Sequence, residues 1–367
     1  MKPPDELRLV PGKFKRRDFL LGTGAIMLAP RLVGAPMSGT NAYPPIKVGQ
    51  VGARHAHAAG KMRALRTAPQ DWAVIGYSEK SETAAAAASE SEAFRGLPFL
   101  SEDQLLATPG LSVVVVETHL DESCEAALRA IRAGKHVHLD KPGAHAHDAF
   151  RSMRREAEQR GVTVQMGYML RYNPAFELLF RCVRDGWLGE ILEIDASMGK
   201  LSGPAERAAV KALPGGSMFE LGCHLIDAIV TLLGPPQAVQ GFSSPARNDG
   251  VKDNQLAVLT YPRATATVRT NLSDPFGGPR RRFSVTGTGG SFEILPLESG
   301  QVKLALVAAH GSYAKGTQSI QVGSKEGRYD GEFRDLARVV RGEKAFAWNA
   351  EHDIAVHKTV LQASGLA

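Results

Sequence analysis

The chain has 367 residues, 43% hydrophobic and 22% charged, with 38 glycines and 21 prolines, a composition that fits a soluble α/β protein with room for two cored domains. Its formal charge of +6 is concentrated at the start, where seven basic residues face three acidic ones in the first 35, leaving +2 for everything after. That remainder is too weak to steer a polyanion, and no later Lys/Arg run carries interleaved aromatics, so no nucleic-acid partner is expected.

In chain order, Lys15-Arg16-Arg17-Asp18-Phe19-Leu20-Leu21 comes first, ahead of a mildly apolar stretch to Pro30 and the small residues Val33-Gly34-Ala35. Paired arginines before a weakly hydrophobic segment and a small-residue cleavage site predict a twin-arginine signal peptide over residues 1–35. The protein is therefore expected to be exported, to the periplasm or an equivalent space. Pro30 and Arg31 break the segment, and it is too short for a stable membrane span. Residues 36–45, with Pro36, Ser38, Gly39, Pro44 and Pro45, read as a linker.

From residue 46 the pattern alternates. Ile46–Val51, Trp72–Tyr77, Ser112–Glu117, Lys135–Leu139 and Val162–Met166 read as strands. Helices follow Gly52 through Leu65 and cover Ser81–Phe94, Asp121–Ala133 and His145–Arg160. This rhythm predicts βαβ units, a parallel sheet and a Rossmann dinucleotide-binding domain over 46–166. After Gly167 the rhythm changes. One helix near Ala175–Asp185 gives way to strands near 191–198, 238–242, 255–261, 265–272, 282–286, 291–294 and 302–307, and helices at 331–341 and 351–363 close the chain. Strands without helices between them predict an open, mostly antiparallel sheet, so residues 167–367 form an α+β domain. The three cysteines, Cys124, Cys182 and Cys223, are far apart and build neither a disulfide framework nor a paired-cysteine zinc site.

Gly52 ends the first strand, where a dinucleotide loop must turn tightly. The second and third glycines of the usual Gly-x-Gly-x-x-Gly are Arg54 and His57 here. On this loop alone both a nucleotide site and a turn that has lost one remain open. Arg54 can place a guanidinium near phosphates. Glu79 follows the second strand, where an acid accepts from the adenosine ribose hydroxyls; this favours NAD, while Ser78 and Lys80 would suit an NADP 2′-phosphate. His55/His57 and His145/His147 form two His-x-His pairs without a thiolate or acid at ligand spacing, so no metal is expected.

Lys141 lies just past the fourth strand, at the carboxyl end of the sheet where ligands bind. Three segments, Gly134-Lys135-His136-Val137…Asp140-Lys141-Pro142, Gly167-Tyr168-Met169-Leu170-Arg171-Tyr172-Asn173-Pro174 and Gly215-Gly216-Ser217-Met218-Phe219-Glu220-Leu221-Gly222-Cys223-His224-Leu225-Ile226-Asp227, together resemble the glucose–fructose oxidoreductase / inositol dehydrogenase (Gfo/Idh/MocA) family from about residue 46 onward. The resemblance implies NAD or NADP as cofactor, a sugar-like or cyclitol-like substrate, and a sheet face that often joins subunits in a homo-oligomer. It carries the family lysine to Lys141 and the late histidine to His224, with Glu220 where an aspartate is usual. The turn after the valine strand, Thr118-His119-Leu120-Asp121-Glu122-Ser123, lacks the family's proline and histidine.

The expected cofactor contacts are Gly52, Arg54, His55, Glu79, Thr118 and Lys141. Read as one helix from Met218, the chain puts Glu220, His224 and Asp227 on one face. His224 is then the general acid/base, Glu220 orients it, and Lys141 steadies the reacting oxygen. Tyr168, Arg171 and Asp227 are candidates for binding substrate. Two other functions fit the same residues: an NAD-dependent glycoside hydrolase or lyase that oxidises the sugar transiently, and a non-redox binding protein on the same fold.

Overall fold

The structure is a computed structural model that describes residues 43–323 and 327–366. The predicted export signal and all but the last three linker residues lie outside the described residues.

Strand β1 (Ile46–Val51) leads through a turn into α1 (Ala58–Arg66), then β2 (Trp72–Ser78) and α2 (Glu82–Glu90). A short α3 (Glu102–Leu106) precedes β3 (Val113–Val116), α4 (Leu120–Arg132), β4 (His136–Leu139), α5 (His147–Gln159) and β5 (Val164–Met166). All four valines of β3 are buried, as they must be in a parallel strand covered by helices on both faces. The strand order is β2-β1-β3-β4-β5 and every pairing is parallel. The order reverses between β1 and β3, which opens a crevice at their carboxyl ends; this is where such sheets take ligands. Gly52 and Glu117 stand on its two sides.

A 3₁₀ turn (Met169–Tyr172) and α6 (Pro174–Arg184) lead to β6 (Ile191–Gly199) and α7 (Pro204–Lys211). A π-helical turn (Met218–Gly222) then runs directly into α8 (Cys223–Leu233). The strands β7 (Ala238–Ser244), β8 (Asn254–Thr260), β9 (Thr265–Asn271), β10 (Arg282–Gly287), β11 (Gly290–Ile294), β12 (Gln301–Leu306) and β13 (Gly316–Gln321) follow, and α9 (Asp330–Val340) and α10 (Ala350–Ala363) end the chain. The second sheet has the order β13-β12-β11-β10-β6-β9-β8-β7 and is antiparallel except for β6 against β9. Burial alternates along β8 and β9, so one face packs on helices and the other is open. α8 packs on β6 and β9, and α10 on β7 and β8. A continuous apolar core joins Val114 and Val116 of β3 to α8 and the inner face of the second sheet.

Four elements differ from the sequence reading. α7 is a helix that the strand pattern of this region did not announce. β13 is an edge strand whose only large apolar residue is Ile320, so it carries little of the alternation that marks a strand. α3 is one turn held by a capping box between Ser101 and Gln104. The helix after Ser81 stops at Glu90 rather than reaching Phe94. No helix among the described residues is long and apolar enough to cross a membrane.

Candidate active site

The turn after β1 is fixed by close backbone approach. Gly52 has φ +92°, and a Cβ there would stand 2.5 Å from the carbonyl carbon and oxygen of Glu117. Only glycine lets the ends of β1 and β3 come this near. The next residues are fastened by Glu79: its carboxylate accepts from Ala53 N at 2.9 Å and Ser81 N at 3.1 Å, and pairs with Arg54 Nε at 3.0 Å. Here the structure departs from the sequence reading, which gave Glu79 to a ribose. Its oxygens hold the loop in shape instead, because Arg54 replaces a glycine and supplies a neighbouring cation. Arg54 also reaches Glu122 at 3.4 Å. Thr118 is largely buried, and its hydroxyl donates to the His119 carbonyl.

Beneath this turn lies a cluster of charges that is not apparent from the sequence. Lys61 of α1 is buried, and its Nζ sits 2.7 Å from Glu117 Oε1 and 2.6 Å from Asp140 Oδ1. Burial opposes its charge, but the two carboxylates more than compensate and push its pKa upward. His55 Nδ1 lies 3.1 Å from Asp140 Oδ2 and 3.3 Å from Glu117 Oε2, and His57 Nδ1 lies 3.3 Å from Asp140 Oδ2. Burial would raise Asp140, yet Lys61 and the two imidazoles hold it well below the usual carboxylate range. His55, expected to meet the cofactor, meets these acids. Of the second histidine pair, His145 is exposed and His147 lies beside His357.

Lys141 follows β4 and is buried. Its Nζ donates to the Glu220 backbone carbonyl at 2.8 Å and to Glu220 Oε2 at 2.9 Å. Burial works against the ammonium, and Glu220 outweighs it, so Lys141 stays charged. Glu220 in turn is lowered to about 2 despite its burial, by Lys141 first and Lys200 second; Lys200 Nζ is 3.4 Å from Glu220 Oε1 and also pairs with Glu206.

His224 differs from the expectation in one respect. Met218–Gly222 is π-helical, with Cys223 N bonded back to Met218 O, and Glu220 is engaged by Lys141 rather than by His224. Glu220 turns to Lys141, whereas His224 stands edge-on to the Tyr168 ring at 6.0 Å. Its Nδ1 is buried without a hydrogen-bond partner. Burial, then the Lys141 and Arg328 cations, drive the imidazole well below its usual range, so it is neutral at pH 7. A neutral imidazole next to a fixed ammonium can take a proton from a hydroxyl while the ammonium stabilises the oxygen left behind.

The residues expected to bind substrate occupy the interior. Arg171 Nη2 contacts Asp227 Oδ1 and Asp353 Oδ1, each at 2.7 Å, and all three side chains are fully buried. His352 Nε2 also reaches Asp227, at 3.1 Å. The Arg171 guanidinium lies over the rings of Tyr168 and Trp348 at 5.0 and 4.8 Å. Arg171 and Asp227 thus tie the 3₁₀ turn, α8 and α10 together, and Tyr168 is a packed wall behind His224. Asp353 and Trp348, which complete this arrangement, come from the far end of the chain and have no local sequence signal.

A dinucleotide suits the crevice. The start of α1 has no side-chain cap and no acid in its first turn, and the Arg54 side chain beside it is 28% exposed, so the helix end and a cation both offer themselves to phosphate. Comparison with known proteins agrees. Residues 46–168 match the oxidoreductase family with NAD-binding Rossmann fold, and residues 176–293 match the GFO/IDH/MocA C-terminal domain. The chain belongs to the Gfo/Idh/MocA oxidoreductase family. The uncharacterized oxidoreductase YhhX of Escherichia coli is 31% identical over 195 residues, 52% of this chain and 54% of YhhX. The scyllo-inositol 2-dehydrogenase (NADP(+)) IolW of Bacillus subtilis is 26% identical over 52% of this chain and 53% of its own. The chain thus spans about half the length of these Gfo/Idh/MocA relatives. In structure it resembles the WlbA dehydrogenase from Bordetella pertussis, solved with NADH and UDP-GlcNAcA, with TM-score 0.74 and 16% identity over 88% of this chain and 96% of WlbA; at that identity the likeness shows the fold alone.

Proposed function

We propose that this protein is an exported dehydrogenase or reductase that moves a hydride between NAD or NADP and a carbinol carbon of a sugar or cyclitol. The observation that carries this reading is the Lys141–Glu220 ion pair at the carboxyl end of β4 together with the neutral His224, whose buried Nδ1 has no hydrogen-bond partner. The nicotinamide, when bound, supplies the hydride acceptor or donor. Gly52 and the loop after it, with Arg54, hold the phosphates, and the start of α1 faces them. Lys141 donates to the reacting substrate oxygen and favours its anionic form. His224 accepts the hydroxyl proton in the oxidative direction and returns it in the reductive one. Glu220 keeps Lys141 charged and aimed; it is a positioning residue. The name of IolW supports a polyol. The paired arginines near the start support export of the folded chain, and the open face of the second sheet supports self-association.

The test uses the purified full chain with a panel of cyclitols, sugars and sugar acids, followed by nicotinamide absorbance. Lys141→Ala and His224→Ala should each lower kcat by about 10²–10⁴-fold, with dinucleotide still bound by the His224 variant. Turnover unchanged in both variants would overturn the assignment. The Glu79 carboxylate is taken by the loop and by Arg54, so NAD⁺ and NADP⁺ both fit this reading, and calorimetry with each identifies the cofactor.

A further inference from the structure

We propose that His55, His57 and Asp140, backed by Glu117, form a site for one divalent transition-metal ion under the phosphate turn. This inference is independent of the dehydrogenase reading.

The donor atoms already converge. One atom from each of His55, His57 and Asp140 can be chosen so that all lie within 4.8 Å of one another. The gaps between histidine and carboxylate are shorter. Asp140 Oδ2 is 3.1 Å from His55 Nδ1 and 3.3 Å from His57 Nδ1, and Glu117 Oε2 is 3.3 Å from His55 Nδ1. An ion with tetrahedral bonds near 2.0–2.1 Å separates its ligand atoms by about 3.3 Å. These side chains therefore stand close to ligand spacing before any ion is added.

Lys61 explains why the carboxylates present those oxygens. Its Nζ engages Asp140 Oδ1 and Glu117 Oε1, which leaves Asp140 Oδ2 and Glu117 Oε2 turned toward the imidazoles. His57 Nδ1 also stands 3.3 Å from Asp140 Oδ1, so that ring can follow the carboxylate as it adjusts. An outer partner that orients ligating carboxylates is the usual support of a metal centre.

Charge points the same way. Two carboxylates against one ammonium leave one negative charge in a cluster whose acid and lysine side chains are at most 5% exposed. A protonated imidazole or a divalent cation can balance it. The two histidine side chains, 25% and 16% exposed, form the accessible side through which an ion and a fourth oxygen ligand can enter. Two imidazoles with carboxylate oxygen favour zinc, cobalt, nickel or ferrous iron over magnesium or calcium.

The probe is Co²⁺ alone, titrated into untagged, chelator-treated full-length protein without dinucleotide. Visible absorption and calorimetry should report one saturable ion per chain, and zinc should displace it. His55→Asn and His57→Asn should each weaken binding by at least about tenfold, while His145→Asn leaves it unchanged. Melting temperature in the presence and absence of Zn²⁺ provides a second readout: it should rise for the parent chain and far less for the two variants, provided each variant shows a cooperative unfolding transition. Absence of a stoichiometric site, or equal binding by parent and both variants, would overturn the proposal. Because no nucleotide or substrate is present, neither result bears on hydride transfer.

Discussion

His224 and Glu332 show how burial sets protonation in this molecule. Glu332 of α9 is buried with neither carboxylate oxygen hydrogen-bonded, and burial pushes it up to about 8, with Lys61 pulling the other way. In the unfolded chain the same carboxyl ionises near ~4.3. Between those values the folded protein holds a proton the unfolded chain has released, so stability falls as pH rises from about 4.3 to 8. The melting temperature should therefore drop between pH 6 and 9, and Glu332→Gln should remove much of that drop; an identical slope in both proteins would contradict it. At this scale the sequence was informative about Lys141 and His224, since a family motif surrounds each. It was silent on Lys61, Glu117 and Glu332, whose importance comes from meeting in space rather than from any local pattern.

Among the elements, the turn after β1 and the π turn before α8 carry the site. The retained Gly52 was readable as a loop glycine, but its reason was not: it lets β1 approach the backbone of Glu117. Gly52→Ala adds a Cβ into that backbone at positive φ, so it should cost about 1–3 kcal/mol in denaturant unfolding and weaken dinucleotide binding as well. Unchanged stability would show that the turn relaxes freely. The helical-wheel reading missed the partner of Glu220, because Lys141 comes from the end of another element, and nothing in Met218–Gly222 announces i→i+5 bonding. Gly215 and Gly222 are its structural correlates, since a Cβ at Gly215 would stand 1.8 Å from the Phe219 ring and one at Gly222 2.2 Å from Met218 Sδ.

Across the whole molecule, the alternation of strands and helices up to Met166, and the run of strands from Ala238 to Leu306, made most of both sheets legible. What periodicity does not encode is how distant segments lock together. Arg171 does this, binding Asp227 of α8 and Asp353 of α10. Arg171→Met removes the cation between Asp227 and Asp353, leaving them only His352 and Arg154, and should cost up to about 3–5 kcal/mol. Adding Asp227→Asn should restore part of that loss, and additive losses in the double variant would deny the pairing its role. The account as a whole stands on Lys141 and His224 meeting at the same nicotinamide ring. A crystal structure of the full chain grown with NAD⁺ measures this directly. It should show the nicotinamide in the crevice with the Lys141 ammonium and the His224 imidazole both beside its reactive carbon, whereas a ring placed away from either group, or a crevice that admits no dinucleotide, would contradict the account.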